Sequence, residues 1–289
     1  GLHGLALTDF ADMGGVVRFT EKAKTLSIKP IVGNQVYVSM GAYQGRLVLL
    51  AENPAGYANL CQLITLSRLN CPRGFPSLTV SQLSAHSDGL FCLSGGTRGA
   101  LYQALSCGDQ LGGNRLIGQL KDIYPDRFAV EVVHHGLPAE MDYALQAIEY
   151  AKTANVPWVV TNDVRYATVQ TRSVYDTLRC LKAGKTIESA ASLLCANSEW
   201  FLKSPRQMWQ RWRALPDGLH ESIRIADRCS FSLAMLNMPL PETEIPPEFN
   251  HADDYLQHLV ELGMEARWYT RVSARHKAQI QRELNLIFR

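Results

Sequence analysis

The chain has 289 residues, 46% of them hydrophobic and 19% charged, with a formal net charge of +2. That is ample apolar material for a full core, and too little charge bias to imply a nucleic-acid, membrane or acidic partner from electrostatics alone. No apolar run approaches the roughly 20 residues that cross a bilayer, and no basic-then-apolar leader opens the chain, so a soluble, cytoplasmic protein without a membrane partner is expected.

In chain order, residues 5–9 (Leu-Ala-Leu-Thr-Asp) are a short apolar run ending in an acid and read as a strand. Residues 15–27 follow with helical period, placing Val16, Phe19, Ala23 and Leu26 on one face. Two short strands around Gly33 are expected over 28–39, then a continuous apolar strand over 47–51. Asn53-Pro54 opens a helix through Leu69, and the proline- and glycine-containing stretch 71–77 is a loop. A short helix at 80–85 leads to a strand at 90–93 and the Ser94-Gly95-Gly96 turn. Helices over 99–124, broken near 108–113, precede a strand at 128–133, and Pro138 starts a helix to Ala154. Pro157 then blocks helix, and the β-branched Val159 and Val160 form a strand that runs into the polar tip 161–166.

Strands separated by helices of this length imply crossovers and a mostly parallel α/β sheet. In such folds the C-terminal strand ends face the ligand, so Asp9 and Asp163 would share one rim. For either aspartate alone, a cap or turn role is the stronger reading. Beyond Tyr166 the pattern changes to helices at 172–183, 204–215 and 217–229. The proline-rich stretch 238–247 reads as an extended linker, and helices at 251–268 and 273–288 read as the start of another domain. The seven cysteines are scattered without Cys-x-x-Cys spacing and read as reduced packing residues.

Three further groups carry chemistry on paper. His134-His135 follow a strand and could ligate a metal, but adjacent strand residues point to opposite faces, so for one of them a surface or packing role is the stronger reading. Gly95, Gly96 and Arg98 could bind phosphate through backbone N–H groups, against the stronger reading of a plain strand-to-helix turn. Residues 203–213 interleave cations with tryptophans as a nucleic-acid surface would. The helical spacing of Met208, Trp212 and Leu215, with Ser204 as cap and Pro205 at the first position, favours an amphipathic helix instead.

The segments 5–10 with Gly14, 28–33, 47–57 with Asn59-Leu60, 90–96, 131–138, 161–166, 201–205 and 225–229 occur in the order and spacing of one family. The chain resembles the N-terminal PHP (polymerase and histidinol phosphatase) domain of the bacterial C-family DNA polymerases. These are the DNA polymerase III alpha subunit and its error-prone translesion relatives, with His134-His135-Gly136 and 229–233 leaning toward the error-prone branch. The resemblance implies a PHP-type distorted (β/α)7 TIM-like barrel over 1–237, a linker over 238–250, and the start of the polymerase palm over 251–289. Family members begin with a strand bearing a His-x-His pair, which lies before this chain's first residue, so a gap is expected beside residues 5–8. The palm carboxylates that hold Mg2+ lie beyond Arg289, so the resemblance implies no cofactor in this fragment and Mg2+ in a full-length parent.

Metal-binding PHP members hold up to three divalent ions in a cluster of His, Asp, Glu and Cys. By the resemblance, Phe10 stands where the family has His, Gln35 where it has Glu, Arg46 where it has His, Gly96 where it has Cys, and Arg165 where it has His. Asp9 and Asp163 remain. Phenylalanine and glycine have no donor atom, glutamine is a poor ligand, and arginine is a fixed cation. No metal and no catalytic residue are therefore expected. Arg46 and Arg165 are expected instead to pair with Asp163 or Asp9, neutralising acids that the lost ions once held. The implied role is a structural and partner-docking module in DNA replication or translesion synthesis. Its partners would be the rest of the polymerase chain, DNA through that polymerase, and a subunit such as a proofreading exonuclease. The alternative is a metal-dependent PHP phosphoesterase or 3′–5′ exonuclease with an unrecognised ligand set.

Overall fold

A computed structural model of the chain describes residues 2–69, 71–236, 244–268 and 272–288. These fall into two compact units, within Gly1–Leu236 and Asn237–Arg289.

The first unit is built on one sheet with strands β1 (Gly4–Phe10), β2 (Lys29–Met40), β3 (Tyr43–Ala51), β4 (Leu78–Thr79), β5 (Leu90–Leu93), β6 (Phe128–Val132) and β7 (Trp158–Val160). Their order is β1-β2-β3-β5-β6-β7, with β4 paired to β2. Most pairs are parallel, and the exception is β3, antiparallel to both β2 and β5. The sheet curls as a half-barrel and stays open among the described residues, with β1 and β7 at its two ends. β1 therefore pairs on one side only, and its free edge falls beside residues 5–8, where the gap was expected.

Helices α1 (Val16–Thr25), α2 (Pro54–Leu69), α3 (Val80–Ala85), α4 (Ala100–Ser106), α5 (Gln110–Ile123) and α6 (Pro138–Thr153) fill the connections. The larger core lies between these helices and the sheet. It joins Val36, Val38, Leu47 and Leu49 to Leu60, Leu63, Leu101, Ile117 and Ile148. The pleat turns alternate residues the other way, and Ile31, Val48, Leu50, Leu93, Ala129 and Val159 make a second, concave core.

Two expectations need correction here. Residues 28–39 are not two short strands but the one long strand β2, because Gly33 does not break it. A Cβ there would lie 2.6 Å from the Leu50 side chain and 2.7 Å from the Leu49 carbonyl oxygen, so the glycine serves close strand packing. β3 also starts at Tyr43 rather than residue 47, since Gln44, Gly45 and Arg46 pair with β2 despite carrying no apolar signal.

After β7 come α7 (Arg172–Lys182), α8 (Pro205–Trp212) and α9 (Asp217–Arg228). α9 joins the concave core: Ile225 and the following Cys229 pack into it, and a Cβ on Gly218 would lie 2.2 Å from the Trp158 ring. Lys29 Nζ, at the start of β2, donates to the Ala226 carbonyl oxygen at 2.6 Å. A helix thus links the two ends of the open sheet.

The second unit contains α10 (Ala252–Trp268) and α11 (Ala274–Ile287). α10 has no buried residue, and α11 buries Leu284. Ser273 caps α11 by accepting from the His276 N–H at 3.3 Å. The linker expected over 238–250 falls largely on residues 237–243, which lie outside the described residues. No described helix is long and apolar enough to cross a membrane.

Candidate functional site

The concave face of the half-barrel opens into a cavity of about 750 Å³. All seven positions singled out by the resemblance border it: Asp9, Phe10, Gln35, Arg46, Gly96, Asp163 and Arg165. Register explains the grouping. Phe10 on β1 sits opposite Gln35 on β2, and Arg46 enters from the antiparallel β3. Arg46 Nη1 donates to Gln35 Oε1 at 2.9 Å, and its guanidinium carbon lies 4.2 Å from the centre of the Phe10 ring. Three replaced positions therefore satisfy one another, through one hydrogen bond and one cation–π contact.

Asp163 follows β7 in a loop with φ +36°, a left-handed conformation that aspartate tolerates better than most residues. Arg165 holds its carboxylate as a fork, through Nη2 and through Nε at 3.2 Å. Arg98 Nε approaches the same carboxylate at 3.4 Å. Asp163 and Arg165 side chains are only 16% and 14% exposed, so the pair is largely withdrawn from water.

Arg46 reaches neither aspartate, contrary to the pairing expected for it. Asp9 shares the register position of Asn34, on the pleat face opposite Phe10, and its carboxylate turns toward α1, where a Cβ on Gly15 would lie 3.3 Å from Oδ2. Burial and the nearby Asp12 raise the Asp9 pKa above the usual carboxylate range. The two aspartates border one cavity without facing one another. Arg46 is itself pushed down to about 10, by burial first and then by the charges of Arg98 and Arg165.

One acid of the cavity enters the sequence reading only as the start of the 131–138 motif. Glu131 is fully buried on β6, and burial raises its pKa to about 7 against the pull of the Thr161 hydroxyl, which donates to Oε1 at 2.6 Å. A single acid inside the apolar strand Phe-Ala-Val-Glu-Val, on the face that alternates with Val130 and Val132, is the signal that could have found it. Gly96 adjoins it in a 3-10 turn at Gly96–Arg98 with φ +53°, where a Cβ would lie 3.9 Å from Glu131 Cδ.

The other candidates resolve into structure. His135, 1% exposed, sits after β6 with Nδ1 2.8 Å from Glu140 Oε1, Nε2 3.0 Å from the Asn162 carbonyl, and its ring stacked on Trp200. His134 packs edge-on against Trp212, and burial and Arg211 lower its pKa. Neither histidine is at the surface, because β6 ends at Val132 and the strand alternation stops before them; neither borders the cavity. Lys203 borders the cavity but is 5% exposed, and its ammonium is taken by Glu199 at 3.2 Å and Asn162 Oδ1 at 3.2 Å. Ser204 and Gln207 form a capping box at the start of α8, and Trp212 is buried, so 203–213 is an amphipathic helix with its lysine folded inward.

The donor chemistry does not fit the metal set that the resemblance implies. Arg46 and Arg165 bring fixed positive charge to positions that would have to bind cations, Phe10 brings a ring, and Gly96 has no side chain. Among the described residues no three His, Cys, Asp or Glu side chains gather as a metal-holding group.

An open α/β half-barrel whose ligand-facing positions converge on one concave cavity is the architecture of a PHP domain, and the family profile described as "PHP domain" matches residues 1–135. The chain carries a PHP domain of the kind found in bacterial DNA polymerase III alpha subunits and error-prone DNA polymerases, to which it is homologous. It is 32% identical over its whole length to the DNA polymerase III subunit alpha of Treponema pallidum, covering 26% of that protein. It is 28% identical over 98% of its length to the same subunit of Borreliella burgdorferi, covering 26% of it. To the error-prone DNA polymerase of Symbiobacterium thermophilum it is 32% identical over its whole length, covering 28%. The chain thus spans about a quarter of the length of the curated relatives it matches.

Proposed function

We propose that the chain is the PHP portion of a bacterial replicative or translesion DNA polymerase, retained as a structural and partner-docking module with no metal chemistry of its own. The observation that carries this reading is the pairing of Asp163 with Arg165: an acid suited to a divalent ion is occupied by a guanidinium from its own loop. A charge-assisted fork neutralises the carboxylate permanently, and no metal can compete for it without displacing a cation fixed two residues away. Within a longer polymerase chain, residues 1–237 would form the PHP domain, 238–250 a linker and 251–289 the start of the palm. Mg2+, DNA and a proofreading exonuclease subunit would belong to that larger assembly.

Metal analysis of the purified chain, with its flanking polymerase sequence present, tests the reading. Substoichiometric zinc, manganese and iron are expected. One equivalent or more of any of them, lost in parallel with phosphoesterase activity on chelation, would establish the phosphoesterase alternative instead.

A further inference from the structure

We propose that the concave cavity has reversed its charge preference and binds a phosphate-class oxyanion between Arg46, Arg98 and Arg165. The argument begins with charge. Three guanidinium groups border the cavity and one carboxylate, Asp163, answers two of them. The other acids do not make up the difference. The Asp9 carboxylate turns toward Gly15 across the pleat, and Glu131, raised to about 7 by burial, is largely engaged with Thr161. Lys203 is not part of the excess, because Glu199 neutralises it.

Arg46 has the greatest unmet demand. A guanidinium carries five N–H donors, and Arg46 directs one at the neutral Gln35 oxygen and lays its face on Phe10. Its lowered pKa, caused by burial and then by Arg98 and Arg165, shows that like charges crowd this part of the cavity. Arg98 is one-third exposed and makes only the 3.4 Å contact with Asp163. A tetrahedral oxyanion relieves that crowding and takes the forked donors in the geometry that arginine offers to phosphate. Carboxylate ligands would use fewer of these donors. The volume of about 750 Å³ exceeds what a bare phosphate fills, so the ligand class includes phosphomonoesters with a small organic group. Binding involves no bond making or breaking. The proposal rests on the metal-free reading of the cavity, and not on the chain's place in a polymerase.

The test is calorimetric titration of the 289-residue chain with inorganic phosphate and, separately, with thymidine 5′-monophosphate, in EDTA at low chloride. Saturable one-to-one binding is expected, weakened about tenfold or more in Arg46→Gln and in Arg98→Gln. Arg224→Gln, an exposed position on α9 outside this cavity, should bind as the parent does. Tighter binding of the monophosphate assigns an organic phosphate, and equal binding assigns phosphate itself. Arg98→Gln keeps the test decisive if Arg46→Gln misfolds, because Arg98 has one long ion pair to lose. No saturable binding with or without metal overturns the proposal alone, as does an unchanged affinity in folded Arg98→Gln. Binding that appears only after Mn2+ or Zn2+ is added overturns it together with the metal-free reading.

Discussion

Arg165 and Asp163 stand two residues apart on the loop after β7 and close a forked ion pair that is largely shielded from water. The contact is local in sequence, so little chain entropy opposes it, and it fixes a loop whose Asp163 backbone is in the left-handed region. Electrostatic neutrality at this rim is thus internal to the chain.

Removing the fork leaves a shielded carboxylate with one remaining partner, Arg98 at 3.4 Å. Breaking a buried pair outright costs about 3–5 kcal/mol, and Arg98 offsets part of that. Arg165→Ala is therefore expected to destabilise the chain by about 2 kcal/mol in chemical denaturation. Arg98→Gln alone should cost less than about 1 kcal/mol, and the double variant more than the sum, because the second loss removes the substitute partner. Strict additivity of the two losses would show that Asp163 is served by water instead.

Gly96 sits at φ +53°, where a Cβ would find space, with Val133 at 3.5 Å, but an unfavourable backbone. Gly96→Cys, which restores the family's residue type, should therefore cost on the order of 1 kcal/mol from backbone strain. It should create no metal site, since Arg46 and Arg165 remain. Stoichiometric zinc in the Gly96→Cys variant, measured by atomic absorption, would contradict this account of the cavity.

Gly218 lets α9 lie against β7, with the Trp158 ring 2.2 Å from where a Cβ would stand. Trp158 is buried in the core and cannot move away freely. Gly218→Ala should then cost about 1–3 kcal/mol despite improving helix propensity. A neutral or stabilising result in thermal melts would mean that α9 is held by Ile225 and Cys229 alone.

The sequence makes the alternation of strands and helices legible, because each strand from Leu90 onward is an apolar run bounded by turn residues. It hides β2 and the first half of β3, since Gly33 resembles a break and Gln44 to Arg46 carry no hydrophobic signal; only their pairing partners reveal them. The cavity positions are legible through the family resemblance. Their mutual contacts are not, because which acid meets which arginine depends on the pleat. Asp9 and Phe10 are neighbours in sequence and lie on opposite faces of β1, so Asp9 escapes the arginines and Phe10 meets Arg46. Glu131 is missed for a similar reason: its burial comes from α/β packing on both sides of β6, which no local pattern displays.

Glu131 gives the chain a pH dependence with a definite sign. Its folded pKa of about 7 lies above the model-compound value of 4.5, chiefly because burial disfavours the charged form. Below about pH 4.5 folded and unfolded chains both carry the proton. As pH rises, the unfolded chain releases it first, so the stability conferred by the protonated, hydrogen-bonded acid is lost progressively up to about pH 7 and stays lost above it. The shift corresponds to a loss on the order of 3 kcal/mol. Glu131→Gln keeps an oxygen for the Thr161 hydroxyl and has no charge to bury. Its stability should match the parent near pH 4 and exceed it increasingly toward pH 8, by up to that amount, with other titrating groups cancelling in the difference. Urea denaturation of both proteins at several pH values measures that difference; parallel curves across the range would mean that Glu131 is ionised and paired throughout, with Arg165 rather than burial governing its state.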